Sequence, residues 1–161
     1  MGEIESRLAA MGLSLPPLVA QRDGRTLPFV PVHICGTRLL FSGHAPQRPD
    51  GYIARPFGKL GAELGVDEGY HAARLAAIGL LGTLQRALGD LDRITRWHRV
   101  LGMVNSAPGF TRHNEVMNGF SDLILKLYGP ERGQHTRSAV GMAGLPFDIP
   151  LEIEGELSIR D

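Results

Sequence analysis

The sequence predicts an α+β sandwich in which a mixed sheet packs on two helices, with an extra short helix at the N-terminus. Three observations carry that reading. Residues Leu151–Ile159 alternate strictly: Leu151, Ile153, Gly155, Leu157 and Ile159 face one way, and Glu152, Glu154, Glu156 and Ser158 the other. Two longer stretches, 66–89 and 114–128, carry apolar residues at helical spacing. The chain of 161 residues, 43% of them apolar, suffices for one core, so residues 1–161 read as a single domain with a helical extension over 1–12.

The elements follow in order. Ile4, Leu8 and Met11 share one face of a helix over Glu3–Met11, which Gly12 ends. Leu15–Pro28 holds Pro16, Pro17, Gly24 and Pro28 and reads as a connector. Strands are expected at Phe29–His33 and Arg38–Ser42, around a turn at Cys35-Gly36-Thr37-Arg38. Gly43–Gly61, rich in Gly and Pro, reads as a long loop of the kind that carries function.

The clearest helix starts at Val66-Asp67-Glu68-Gly69, with acids suited to a helix N-terminus. Its stripe is Ala73, Ala77, Leu80, Leu81, Leu84 and Leu88, and Gly89 stops it. The small residues Ala73, Ala76 and Ala77 allow close approach of a sheet. Asp90–Asn105 reads as a strand whose imperfect alternation implies a bulge. After a turn at Ser106–Arg112, Val116, Phe120, Leu123, Ile124 and Leu127 mark a helix over Asn114–Tyr128, stopped by Gly129-Pro130. Thr136–Leu145 and Leu151–Ile159 complete the sheet.

Charge narrows the function. Seventeen basic side chains balance seventeen acidic ones, which argues against a nucleic-acid surface, and the only lysines are Lys59 and Lys126. The single cysteine, Cys35, excludes an internal disulfide framework. The first fifteen residues lack the apolar run of a signal peptide, and no segment reaches the length of a membrane span, so the expected compartment is the cytoplasm. Met1-Gly2 with Ser6 matches a loose myristoylation pattern that is too short to be specific.

Arg137, at the start of an apolar strand, is the strongest chemical feature. Buried unpaired it would cost several kcal/mol, so it must snorkel, pair or bind an anion. One reading pairs it with Glu152, Glu154 or Glu156 on a neighbouring strand; the other leaves it free for an anionic ligand. Glu152 reads either as a solvated outer-face residue or as a general base for water. The six histidines show no HExxH or Cys-x-x-Cys setting, and His33 with Cys35 makes no zinc site, so no metal is expected. No Gly-x-Ser-x-Gly elbow, P-loop or dinucleotide fingerprint is present.

The order of motifs resembles the YjgF/RidA family of reactive-intermediate deaminases, whose trimeric fold is that of the Bacillus-type chorismate mutase. The resemblance runs from about Phe29 to Ile159. It is carried by Leu40-Phe41-Ser42-Gly43-His44-Ala45-Pro46, the small-residue helix around Ala72 to Leu84, and Gly89-Asp90-Leu91-Asp92-Arg93-Ile94. Phe110-Thr111 leading to Asn114, Arg137-Ser138-Ala139-Val140 and Leu145-Pro146 through Glu152-Ile153-Glu154 complete it. The N-terminal helix and Gly58-Lys59-Leu60-Gly61 look like a longer subfamily.

The resemblance implies that Arg137 grips a substrate carboxylate, that Glu152 stands near the attacking water, and that Gly43, Asn114 and Ala139 line the pocket. It implies hydrolysis of small 2-imino or enamine acids without a cofactor, in clefts between subunits of a homotrimer. Two positions depart from the family. Phe29 stands where a pocket tyrosine is frequent, and Ala139 where a cysteine is frequent. The same resemblance leaves room for a non-catalytic trimer binding a carboxylate metabolite, and for an endoribonuclease.

Overall fold

The computed structural model describes residues 2–19 and 27–160. Its elements are α1 (Glu3–Ala10), β1 (Val32–Cys35), β2 (Arg38–His44), α2 (Val66–Leu88), β3 (Ile94–Asn105), α3 (His113–Gly133), β4 (Thr136–Met142) and β5 (Leu151–Ile159). Short 3-10 turns occupy Leu91–Arg93 and Pro146–Asp148. The sheet runs β1-β2-β5-β3-β4. Only β3 and β4 are parallel, and parallel neighbours need a long crossover, which α3 provides. The antiparallel pairs put β5, the strand with the cleanest alternation, between β2 and β3.

One side of the sheet is covered by α2 and α3. Leu151, Ile153, Leu157 and Ile159 are buried there with Leu39 and Phe41 of β2 and Val100 and Val104 of β3. Trp97 centres the cluster, with ring centroids 5.9 Å from Phe41, 5.8 Å from Phe120 and 5.7 Å from Tyr128, all edge-on. The two helices approach closely at glycine. A Cβ on Gly119 of α3 would collide with the Tyr70 carbonyl of α2, and one on Gly69 would stand 2.8 Å from Val116 Cγ2. Small residues on α2 therefore serve the neighbouring helix as well as the sheet. Gly89 ends α2 in the left-handed conformation, φ 78°.

Several expected boundaries move, each for a local reason. The first strand begins at Val32 rather than Phe29, because Pro28 and Pro31 bracket Phe29-Val30 and Pro31 has no N–H for a ladder. The Pro31 carbonyl still accepts from Ser42 N, 2.9 Å away. Residues 90–93 form a turn, not strand, since Asp90 Oδ1 accepts the Asp92 N–H at 2.8 Å. The bulge expected in β3 is present, between Ile94 and Arg99. β4 ends at Met142 instead of Leu145. Inside α3, Gly129 (φ 72°) breaks the helix before Pro130.

The Gly43–Gly61 loop is packed, not loose. Gln47 is buried and donates to the Pro17 and Gly51 carbonyls at 2.7 and 3.1 Å. Lys59 Nζ donates to Asn105 Oδ1 at 2.8 Å and to Ala143 O at 2.7 Å. Of the Leu15–Pro28 connector, residues 20–26 lie outside the described residues, as does Met1 of the myristoylation pattern. No helix among the described residues is long and apolar enough to cross a membrane.

Candidate functional site

The register of β4 decides where Arg137 points. It stands opposite Val100 on β3, and Val100 stands opposite Gly155 on β5. Opposed residues project to the same side of a sheet, and Val100 is fully buried under the helices, so Arg137 turns toward α3. There Nη1 donates to Ser121 Oγ at 2.9 Å, and Nη2 donates to Asn118 Oδ1 at 3.0 Å and to the Asn114 carbonyl at 3.2 Å. Residues 114, 118 and 121 stack on one helix face because side chains three and four apart are neighbours.

All three acceptors are neutral. Among the described residues no carboxylate comes within ion-pair distance of Arg137, which corrects the alternative that pairs it with Glu152, Glu154 or Glu156. The reason is topological: β3 separates β4 from β5. Partial burial lowers the guanidinium pKa, with Asp122 pulling the other way, but an arginine keeps its charge. Its Nε–H and one Nη1–H have no acceptor among the described residues. Beside it lies a hollow of about 470 Å³ lined by Asn114, Ser121, Leu125, Gln134, His135 and Arg137.

Glu152 belongs to the other side of the sheet. It opposes Met103, which opposes Val140, in a row that alternates with the buried one. Its carboxylate is half-buried and lies on Gly43, where the β2–β5 register breaks between Phe41 and His44. A Cβ on Gly43 would collide with Glu152 Oε1 and stand 2.6 Å from Cδ. Burial, and then the charge of Glu154, push the Glu152 pKa above the ordinary carboxylate range.

The structure thus gathers the expected residues into two groups. Arg137 meets Asn114 through its main chain, and Ala139, two residues along β4, faces the same side and packs against the core. Glu152 meets Gly43. Within one chain the groups do not join: Arg137 is level with Gly155, three residues and about 10 Å along β5 from Glu152, on the opposite side of the sheet. Phe29 lies outside β1, is 56% exposed and does not line the hollow beside Arg137.

Sequence reasoning missed Asn118, Ser121 and His135 as partners of this site. The signal was present. Asn114, Asn118 and Ser121 repeat at spacings of four and three on one face of α3, and His135 stands just before the strand that carries Arg137, two residues from it. One group of acids has the spacing to hold a metal ion, with ligand atoms of Glu5, Asp90 and Asp92 within 4.8 Å of one another. These acids serve as local caps. Asp92 accepts from the Glu3 and Ile4 N–H groups at the start of α1, and Glu5 Oε1 accepts from Leu91 N at 3.0 Å.

Comparison with known proteins agrees with this architecture. The sequence pattern of the family described as "YjgF/chorismate mutase-like, putative endoribonuclease" matches residues 5–150. The protein TCP17 of Trypanosoma cruzi is 38% identical over 160 residues, covering 99% of this chain and 96% of that protein. The crystal structure of Atu1372 from Agrobacterium tumefaciens superposes with a TM-score of 0.86 at 37% identity, over 98% of this chain and 94% of that one. A Shewanella oneidensis protein named as a putative endoribonuclease superposes at 0.87 with 32% identity, over 98% and 100% of the two chains.

Proposed function

Because the chain belongs to the YjgF/RidA family, we propose that it hydrolyses small 2-imino acids, or their enamine tautomers, to 2-oxo acids and ammonia. The observation that carries this reading is the state of Arg137: a half-buried guanidinium, held by three neutral acceptors and neutralised by no carboxylate among the described residues. Such a group supplies an oriented positive charge for a substrate carboxylate. Substrate anions replace the missing carboxylate and gain charge-assisted bonds at the Nε–H and Nη1–H.

Glu152 supplies the base. Its raised pKa brings a carboxylate closer to the working pH, where proton transfer is most effective. Water adds to the imine carbon while Glu152 takes its proton. That proton passes to the nitrogen to give a carbinolamine, and Glu152 then carries the remaining hydroxyl proton to the nitrogen as the carbon–nitrogen bond breaks, giving ammonia and the 2-oxo acid. Arg137 and Glu152 leave one protomer from opposite sides of the sheet, so the reading assigns the working site to two protomers of a homotrimer, one giving the guanidinium and the other the carboxylate. No organic cofactor or metal is needed for this addition.

The test is ammonia release from freshly generated 2-iminopropionate by the wild-type chain and by Arg137→Ala. Loss of most of the enzymatic rate in the variant supports the reading, and equal rates overturn it. A second reading follows from Phe29 and Ala139, which bring neither hydroxyl nor thiol to the site: a trimer that binds a carboxylate metabolite without turnover. It predicts a Tm that rises with the logarithm of pyruvate concentration while no ammonia is formed. The endoribonuclease reading rests on the family's description, and RNA cleavage surviving Arg137→Ala would support it.

A further inference from the structure

Arg137 is oriented by a chain of hydrogen bonds that reaches past its own contacts. His135 Nδ1 lies 2.7 Å from the Gly133 carbonyl, which can only accept, so the ring carries its proton on Nδ1. The neutral ring then offers Nε2 as an acceptor, and Ser121 Oγ stands 3.0 Å from it. The Ser121 hydroxyl donates to His135 and turns its oxygen lone pairs toward Arg137 Nη1, 2.9 Å away. The chain turn that sets this up is tightly built. A Cβ on Gly133 would stand 2.9 Å from the Ile124 carbonyl oxygen, and the His135 ring meets the Phe120 ring edge-on at 5.8 Å.

We infer that His135 is a positioning residue which, through Ser121, fixes the direction in which Arg137 presents its guanidinium to a carboxylate. This rests on the reading of Arg137 as the carboxylate grip. Without an acceptor at His135 the serine hydroxyl is free to rotate and point its hydrogen at the guanidinium. The Nη1 anchor is then lost, and two anchors on Nη2 remain. The ring faces Ser121 and Phe120 from α3 and Arg137 from β4, and the charge acting on it is that of Arg137. Burial and that neighbouring cation both favour the neutral ring, the form the relay uses. An imidazolium would carry a hydrogen on Nε2 and could not accept from Ser121.

The experiment compares His135→Phe, His135→Gln and Ser121→Ala with the wild-type chain, using 2-iminopropionate for kinetics and ligand-free crystals for geometry. Phe fills the space and removes the acceptor. Gln restores an oxygen acceptor that does not titrate. For His135→Phe and Ser121→Ala the expected result is a KM about tenfold higher with kcat changed less than about twofold. His135→Gln keeps a near wild-type KM and loses the rise in KM at acid pH. In crystals, the Ser121–Arg137 contact is expected to persist in His135→Gln and to break in His135→Phe. An unchanged KM and contact in His135→Phe, or equal loss in the Gln and Phe variants, overturns the inference. If Arg137→Ala leaves turnover unchanged, the carboxylate-grip reading fails on its own, while the crystal geometry still decides what His135 does.

Discussion

The carboxylate of Glu152 lies on the bare Cα of Gly43, leaving no room for a side chain there. The obstructing atoms are the far end of a flexible side chain rather than backbone. Gly43→Ala is therefore expected to cost only about 1 kcal/mol in folding while swinging the carboxylate away from its place. Turnover of 2-iminopropionate should fall by about tenfold or more. Urea denaturation and steady-state kinetics on the same preparation check both halves, and an unchanged kcat would detach Glu152 from the chemistry.

The raised pKa of Glu152 has consequences of definite sign. Its folded pKa lies above the ordinary 4.5, so the native state holds this proton more tightly than the unfolded chain. The contribution to stability is complete below the unfolded value and disappears as pH rises through the folded one. Glu152→Gln is expected to raise Tm at pH 7, by about 1–2 °C after allowance for partial exposure, and to leave it unchanged near pH 4. Turnover should show an acid limb above the usual glutamate range, because only the ionised carboxylate accepts a proton from water. Calorimetry across pH checks the first, and a kcat/KM profile the second.

Much of this architecture was legible from periodicity, and the exceptions share a cause. The limits of β5 and the body of α2 followed from alternation and an apolar stripe, which report burial directly. The strand expected at Phe29–His33 starts only at Val32, since the prolines flanking Phe29-Val30 deny that stretch a ladder. Arg137 was legible as a charge in need of a partner, yet not as one held by Ser121, Asn118 and a main-chain oxygen. Partner identity depends on strand order, and β5 lying between β2 and β3 is a tertiary fact. The proximity of Glu152 to Gly43 depends likewise on a register break that leaves no mark in composition.

The α2–α3 crossing fixes the platform on which Arg137 rests. A methyl group at Gly119 would run into the Tyr70 carbonyl and stand 2.8 Å from its carbon, and neither can move without displacing a helix. Asn118 and Ser121, the arginine's anchors, flank that glycine on α3. Gly119→Ala is expected to destabilise the fold by about 3 kcal/mol, the upper range for overpacking. Chemical denaturation measures it; a loss below about 0.5 kcal/mol would mean that the helices are free to separate.

Lysine should not replace Arg137. The guanidinium reaches three acceptors from two nitrogens and keeps two N–H groups for a ligand. An ammonium has three hydrogens on one nitrogen, so satisfying the α3 acceptors exhausts them. Arg137→Lys is expected to raise KM for 2-iminopropionate by about two orders of magnitude with a change in stability below about 1 kcal/mol. A KM within threefold or so of wild type would show that charge alone suffices.

The separation of Arg137 and Glu152 onto opposite sides of one sheet makes the sharpest prediction. If a working site takes its guanidinium from one protomer and its carboxylate from the next, two inactive variants should complement each other. Arg137→Ala protomers still offer Glu152, and Glu152→Gln protomers still offer Arg137. When the two are unfolded together in equal amounts and refolded, a site is intact only where a Glu152→Gln protomer supplies the arginine to an Arg137→Ala neighbour. Random assembly makes that about one site in four, so about a quarter of the wild-type rate should return. Each variant refolded alone should stay inactive. A mixture as inactive as its parts would place both groups in a single protomer's site and overturn the shared arrangement, whatever the oligomeric state measured by ultracentrifugation.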